Sequence, residues 1–144
     1  MSESWIKHSP VSQPGEDALP AIAALPADIS SLHHAANQLV LHYRAMEKYV
    51  LPERKSEIQT RYADAMFTRI FTRGPGATLS QDRGPVDKTV GCCRDSALLF
   101  VSLARSKGYA ARIRIGFNAY TAAGYMQDHT VAEIWDPEAK RWRL

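Results

Sequence analysis

The chain has 144 residues, 45% hydrophobic and 23% charged, the make-up of one folded domain and too little length for two full-sized ones. Those fractions exclude disordered, collagenous and repeat architectures. The net charge is only +3, and the Lys and Arg residues are scattered rather than gathered in a stripe, so nucleic acid is not an expected partner.

The opening MSESWIKHSPVSQPGEDALP has neither the apolar run of a signal peptide nor that of a membrane span. No membrane partner is expected, and a cytoplasmic location is the simplest expectation. Pro10, Pro14 and Pro20 oppose helix, so residues 1–20 read as an extended arm lying across the domain surface. The expected domain then fills residues 21–144, with a helical front part over 21–73, a loop over 74–90 and a core over 91–144.

Ile29, Leu32, Ala36, Leu39, Val40 and Tyr43 recur at helical spacing and predict an amphipathic helix from Asp28 to Met46, with Asp28 or Ser30 as its N-cap. His33, His34 and His42 fall in that helix and read as ordinary helix histidines. Pro52 opens a second predicted helix, carried by Ile58, Tyr62, Ala65, Met66, Phe67, Ile70 and Phe71 until Gly74-Pro75 stops it. Residues 73–90 hold three glycines and two prolines without any apolar period, which predicts a long loop.

Ala97, Leu98, Phe100, Val101 and Ala104 mark the buried side of a third helix that opens at the cysteines and ends at Gly108. Ala111, Ile113 and Ile115 then alternate with Arg112 and Arg114, and Val131, Glu133 and Trp135 alternate with Thr130, Ala132 and Ile134, the period-two pattern of strands. Asp136-Pro137 turns the chain into a short last strand over 141–144. Helices followed by a thiol-bearing helix and antiparallel strands make an α+β plan.

The two cysteines, Cys92 and Cys93, are neighbours and poorly placed for a disulfide, so they read as free thiols. A thiol at a helix N-terminus faces unpaired N–H groups that favour the reactive thiolate. Among the five histidines, His129 opens a strand and is the best base for such a thiol; His8 lies in the arm. A Cys and a His far apart in sequence are in themselves a weak signal, because most cysteines of this kind are small buried hydrophobes. A zinc site from Cys92, Cys93 and His129 is a poor alternative, since adjacent cysteines seldom converge on one tetrahedral ion and no fourth ligand is suitably spaced.

The longer pattern is more specific. Gly91-Cys92-Cys93-Arg94-Asp95, the L-x-R-x-x-G-x-x-A-R run from Leu103 to Arg112, and the D-H-x-x-x-E-x-W run from Asp128 to Trp135 follow one another in order. Together they resemble the transglutaminase-like superfamily over roughly residues 25–144, most closely after Gly91, with bacterial members that carry a helical front section as the nearest in kind. The resemblance implies a papain- and transglutaminase-like core with Cys93 as nucleophile, His129 as base and Cys92 at a variable position. It also implies an orienting Asp after the strand that follows the tryptophan. That Asp is expected beyond Leu144, in a longer protein, with Asp136 as the alternative although its Asp-Pro setting reads as a turn.

Arg94 and Asp95 are expected to cap the helix or to pair with Arg112. Glu133, on the face of His129, is a possible supporting residue near the cleft. Trp135, Trp142 and Phe117 read as core aromatics. The reaction implied is acyl transfer on a peptide, protein or small amide substrate, with hydrolysis favoured because no acidic cluster suits calcium. No cofactor and no metal are called for. The competing reading is a catalytically silent scaffold of the same fold that binds a protein or peptide, and oligomers could form through an exposed C-terminal sheet edge.

Overall fold

A computed structural model describes residues 3–120 and 124–144; the first two residues of the predicted arm lie outside it. The helices are α1 (Leu19–Ala24), α2 (Ile29–Leu39), α3 (Ala63–Arg73) and α4 (Cys93–Ser106). The strands are β1 (Val40–His42), β2 (Thr89–Gly91), β3 (Ala111–Asn118), β4 (Gln127–Asp136) and β5 (Arg141–Arg143). β1 and β2 form a parallel pair, and β3-β4-β5 an antiparallel sheet, so the fold is α+β.

The centre is α4, whose Leu98, Leu99, Val101, Leu103 and Ala104 are all buried. One apolar stripe would serve a helix packed on a single surface; α4 instead packs on α2, α3 and the antiparallel sheet, and so it is apolar on several sides. Leu32, Ala35 and Leu39 from α2 and Met66, Phe67 and Ile70 from α3 complete this core, and Ala111 and Ile134 close it from the sheet. Gly108, with φ of 83°, ends α4 in a left-handed turn that a side chain would strain.

Two predicted helices are corrected. The first stops at Leu39 rather than Met46, because Val40, Leu41 and His42 pair with Thr89, Val90 and Gly91. His42 is therefore a strand residue beside the cysteine pair. The second is broken into a 3₁₀ segment, Pro52–Gln59, and α3, with Thr60 extended between them. The run PERKSEIQ has one apolar residue, Ile58, and no apolar face to bury. Likewise the proline-bearing arm is not extended throughout: α1 starts at Leu19 with Pro20 in its first turn, where a missing N–H costs nothing.

What the 3₁₀ segment buries is charge. Glu57, 6% exposed, accepts from Arg54 Nε at 3.0 Å, from Arg73 Nη1 at 3.1 Å and from the Val90 N–H at 2.9 Å. Burial alone would raise its pKa, but the two guanidinium groups and the backbone donor outweigh that and hold it at about 2. This knot fastens β2 immediately ahead of the cysteines.

On the back of the antiparallel sheet, Trp5 from the arm meets Trp142 edge-on at 5.7 Å, and Trp142 meets Trp135 at 5.6 Å. The Arg112 guanidinium lies 4.1 Å from the Trp142 ring centre. The arm is also tied to α4, through Arg105 Nη1 on Ser12 Oγ at 3.2 Å. No helix among the described residues is long and apolar enough to cross a membrane.

Candidate active site

Cys93 is the first residue of α4, and the turn before it is built to expose that position. Asp95, the third helical residue, reaches back to accept the Cys92 N–H at 2.8 Å, while the Cys92 side chain faces the Asp95 N–H, a capping box made with a cysteine. Asp95 is 1% exposed and is held by Arg94 Nη2 at 2.7 Å. A Cβ at position 91 would sit 2.7 Å from an Asp95 carboxylate oxygen, so Gly91 is required by this close approach. Arg94 and Asp95 thus pair with each other; Arg112 pairs elsewhere.

His129 reaches the same place from the other side of the chain. β3 leaves the C-terminal end of α4, and β4 returns antiparallel, with Ala111 opposite Ile134 and Gly116 opposite His129. This return carries His129 back to the N-terminal end of α4. Cys93 and His129 line one cavity of about 710 Å³. Its walls are α2, one stripe of α4 and the β4 segment from His129 onward. His129 also meets Tyr120 edge-on, with ring centres 5.9 Å apart.

The two thiols differ. Burial, and then the Asp95 carboxylate, push the Cys92 thiol up, which leaves little of it as the nucleophilic thiolate at neutral pH. Cys92 is bound into the cap, whereas Cys93 opens on the cavity.

The other expected site residues are committed to structure. Asp136 accepts the N–H groups of Glu138 and Ala139 at 3.0 and 2.9 Å, and Arg143 Nη1 at 2.9 Å. These bonds hold its carboxyl below the usual range and fix the turn into β5. Glu133 does not line the cavity; it is buried opposite Arg112 and accepts from Arg112 Nε at 2.7 Å and Arg114 Nη1 at 3.2 Å. Phe117, read as core, is 73% exposed near the end of β3.

His42, read from the sequence as an ordinary helix histidine, stands beside the cysteine pair without lining the cavity. Opposite Gly91 in the β1–β2 pair, its Nδ1 accepts the Ala45 N–H at 3.4 Å. Burial first, then the charges of Arg44 and His129, keep its imidazole below the ordinary histidine pKa. His33 lines the cavity from α2. Among the described residues, no group of three or more His, Cys, Asp and Glu side chains could hold a metal ion.

A thiol at a helix N-terminus and an imidazole on one open cavity define a cysteine–histidine cleft on an α+β core. Residues 78–143, a little under half of the chain, match the family model of the transglutaminase-like superfamily, so this stretch is similar to that superfamily. The match begins within the loop after α3 and ends inside β5, so it covers the cleft residues Cys93 and His129 and leaves α2 and β1 outside. No curated protein and no solved structure compared with the chain matches it.

Proposed function

We propose that the protein is a cysteine acyl-transfer enzyme, with Cys93 as nucleophile and His129 as base, acting on amide or peptide bonds. The observation that carries this reading is the single cavity that Cys93 and His129 share, with the thiol at the opening of a 14-residue helix.

In the proposed reaction His129 takes the Cys93 proton, and the thiolate sulfur attacks the carbonyl carbon of the substrate. N–H groups at the start of α4 are the available donors for the oxyanion. Collapse breaks the C–N bond; the amine leaves with the proton from His129, and a thioester remains on Cys93. Water, deprotonated by His129, then attacks the thioester, releasing a carboxylic acid and restoring the thiol. An amine in place of water would give transamidation; hydrolysis is the reading favoured here. Asp95 and Arg94 serve this chemistry by holding the helix start, without touching the substrate.

The test is capture of the thioester. Incubation with p-nitrophenyl acetate should add one acyl group to Cys93, located by peptide mass mapping and removed by hydroxylamine. Acylation should be absent in Cys93→Ala and strongly slowed in His129→Ala. If Cys93 acylates no faster than a cysteine in a short peptide, the catalytic reading fails and the silent peptide-binding scaffold takes its place.

A further inference from the structure

The cavity is larger than a Cys–His pair needs, and its shape follows from the elements around it. On α4, Cys93, Ser96, Ala97 and Phe100 lie on one stripe, at spacings of three, one and three. At 1.5 Å per residue this stripe runs about 10 Å down the helix. Opposite it, β4 leads from His129 past Thr130 and Ala132 to Ile134, which pairs with Ala111 at the far end of α4. Arg143, opposite Ile134, and Leu144 close that far end, and Ile29 and Ala36 line the α2 side.

The result is a slot with the nucleophile at one end and an apolar floor leading away from it. Polar groups enter as Ser96, His129 and Thr130 near the mouth and as Ser30, His33 and Asn37 from α2, whereas Ala97, Phe100, Ala132 and Ile134 make the α4 and β4 walls beyond the mouth apolar. The one guanidinium at the far end, of Arg143, is already engaged by Asp136 at 2.9 Å. Among the described residues, no Asp, Glu or Lys lines the slot. A charged side chain laid against the α4 and β4 walls of this slot would lose hydration with no counter-charge there to offset it. An apolar chain would gain by burial, about 0.8 kcal/mol for each CH₂.

We infer that the slot is the acyl-side subsite of Cys93 and that it selects acyl groups with a medium-length aliphatic or aryl-alkyl chain. This rests on the proposed function, since the chain is placed by its attachment to the carbonyl that Cys93 attacks. The occupant follows from continuity: the walls that hold the chain are continuous with the helix turn that holds the nucleophile. Binding energy realised along the slot positions the carbonyl at the sulfur.

Two measurements test the inference. The first is acylation of the wild-type protein by p-nitrophenyl acetate, butyrate, hexanoate and octanoate. The rate constant kcat/KM should rise about fourfold per added CH₂ until the slot is full, the factor that corresponds to about 0.8 kcal/mol. Ala132→Leu, which narrows the slot, should lower the octanoate-to-acetate ratio. The second is calorimetry of acetamide, hexanamide and octanamide with the Cys93→Ala protein, where affinity should rise with chain length although no chemistry occurs. Rates and affinities flat with chain length would overturn the inference while leaving the acylation of Cys93 intact. Chain-length-dependent amide binding to Cys93→Ala, with no acylation of the wild type, would keep the slot as an apolar-chain site and overturn the proposed function instead.

Discussion

Two polar regions flank the β1–β2 pair, and they have opposite designs. At Glu57 every strong group finds a partner: the carboxylate meets Arg54, Arg73 and the Val90 N–H, and both arginines donate further to the Lys88 carbonyl. At Cys93 the same strand ends in a helix start whose cap is satisfied by Asp95, while Cys93 and His129 line an open cavity. A saturated network holds shape, and reactive groups left facing a cavity are available to a substrate. Buried, paired charge marks the support here, and a half-buried thiol and imidazole on one cavity mark the candidate site.

Mutations should separate the two. Cys93→Ala should lower acyl turnover by at least about 10³-fold, the scale seen when a covalent nucleophile is removed. Its denaturation midpoint should stay near that of the wild type, because Cys93 is only half-buried and takes no part in the cap.

Glu57→Gln should do the reverse in kind, costing about 3 kcal/mol in chemical denaturation, because Arg54 is left buried without its counter-charge. Its effect on turnover should follow from the fraction unfolded. The same carboxylate sets an acid limit. Its folded pKa of about 2 lies below the ordinary glutamate value of 4.5, so its stabilisation is present above pH 4.5 and is lost as pH falls toward 2. Denaturation midpoints measured from pH 6 to pH 2 should drop over that window, and Glu57→Gln should remove this part of the drop.

Gly91→Ala sharpens the comparison, since it touches the cap without touching the thiol. The new Cβ would lie 2.7 Å from Asp95, and we expect a loss of about 1–3 kcal/mol together with faster alkylation of Cys92 as the cap loosens. The smallest effect belongs far from both regions: Asp28→Ala removes the N-cap bond to the Ser31 N–H and should lower the thermal or chemical unfolding midpoint slightly, with no change in acyl turnover.

Much of this architecture was legible in the residues. The helix start at Cys93 and the alternation from Ala111 and Thr130 onward carry local signals of cap and period, and α4, β3 and β4 lie where those signals put them. The superfamily, read from the order of three motifs, is the one matched over residues 78–143. What was not legible depends on partners remote in sequence. Glu57 sits in a polar run with no period, and its burial is set by Arg73 and by β2. His42 continues a helical spacing, yet pairing with Gly91 draws it into a strand. Period two identifies β3 as a strand without saying where its cover ends: Ala111 is fully buried, whereas Ile115 is 78% exposed. The slot was hidden for a related reason, since one of its walls is α2, which lies outside the motif region.

Cys92 and Cys93 are adjacent thiols in different settings, and the most direct measurement is the rate of iodoacetamide alkylation at each, resolved by peptide mapping across pH 5–9. Cys93 should label faster than Cys92 at every pH and faster than a free cysteine peptide below neutrality, and His129→Ala should remove much of that advantage. Preferential labelling of Cys92, or equal labelling of both at the rate of a free thiol, would contradict it.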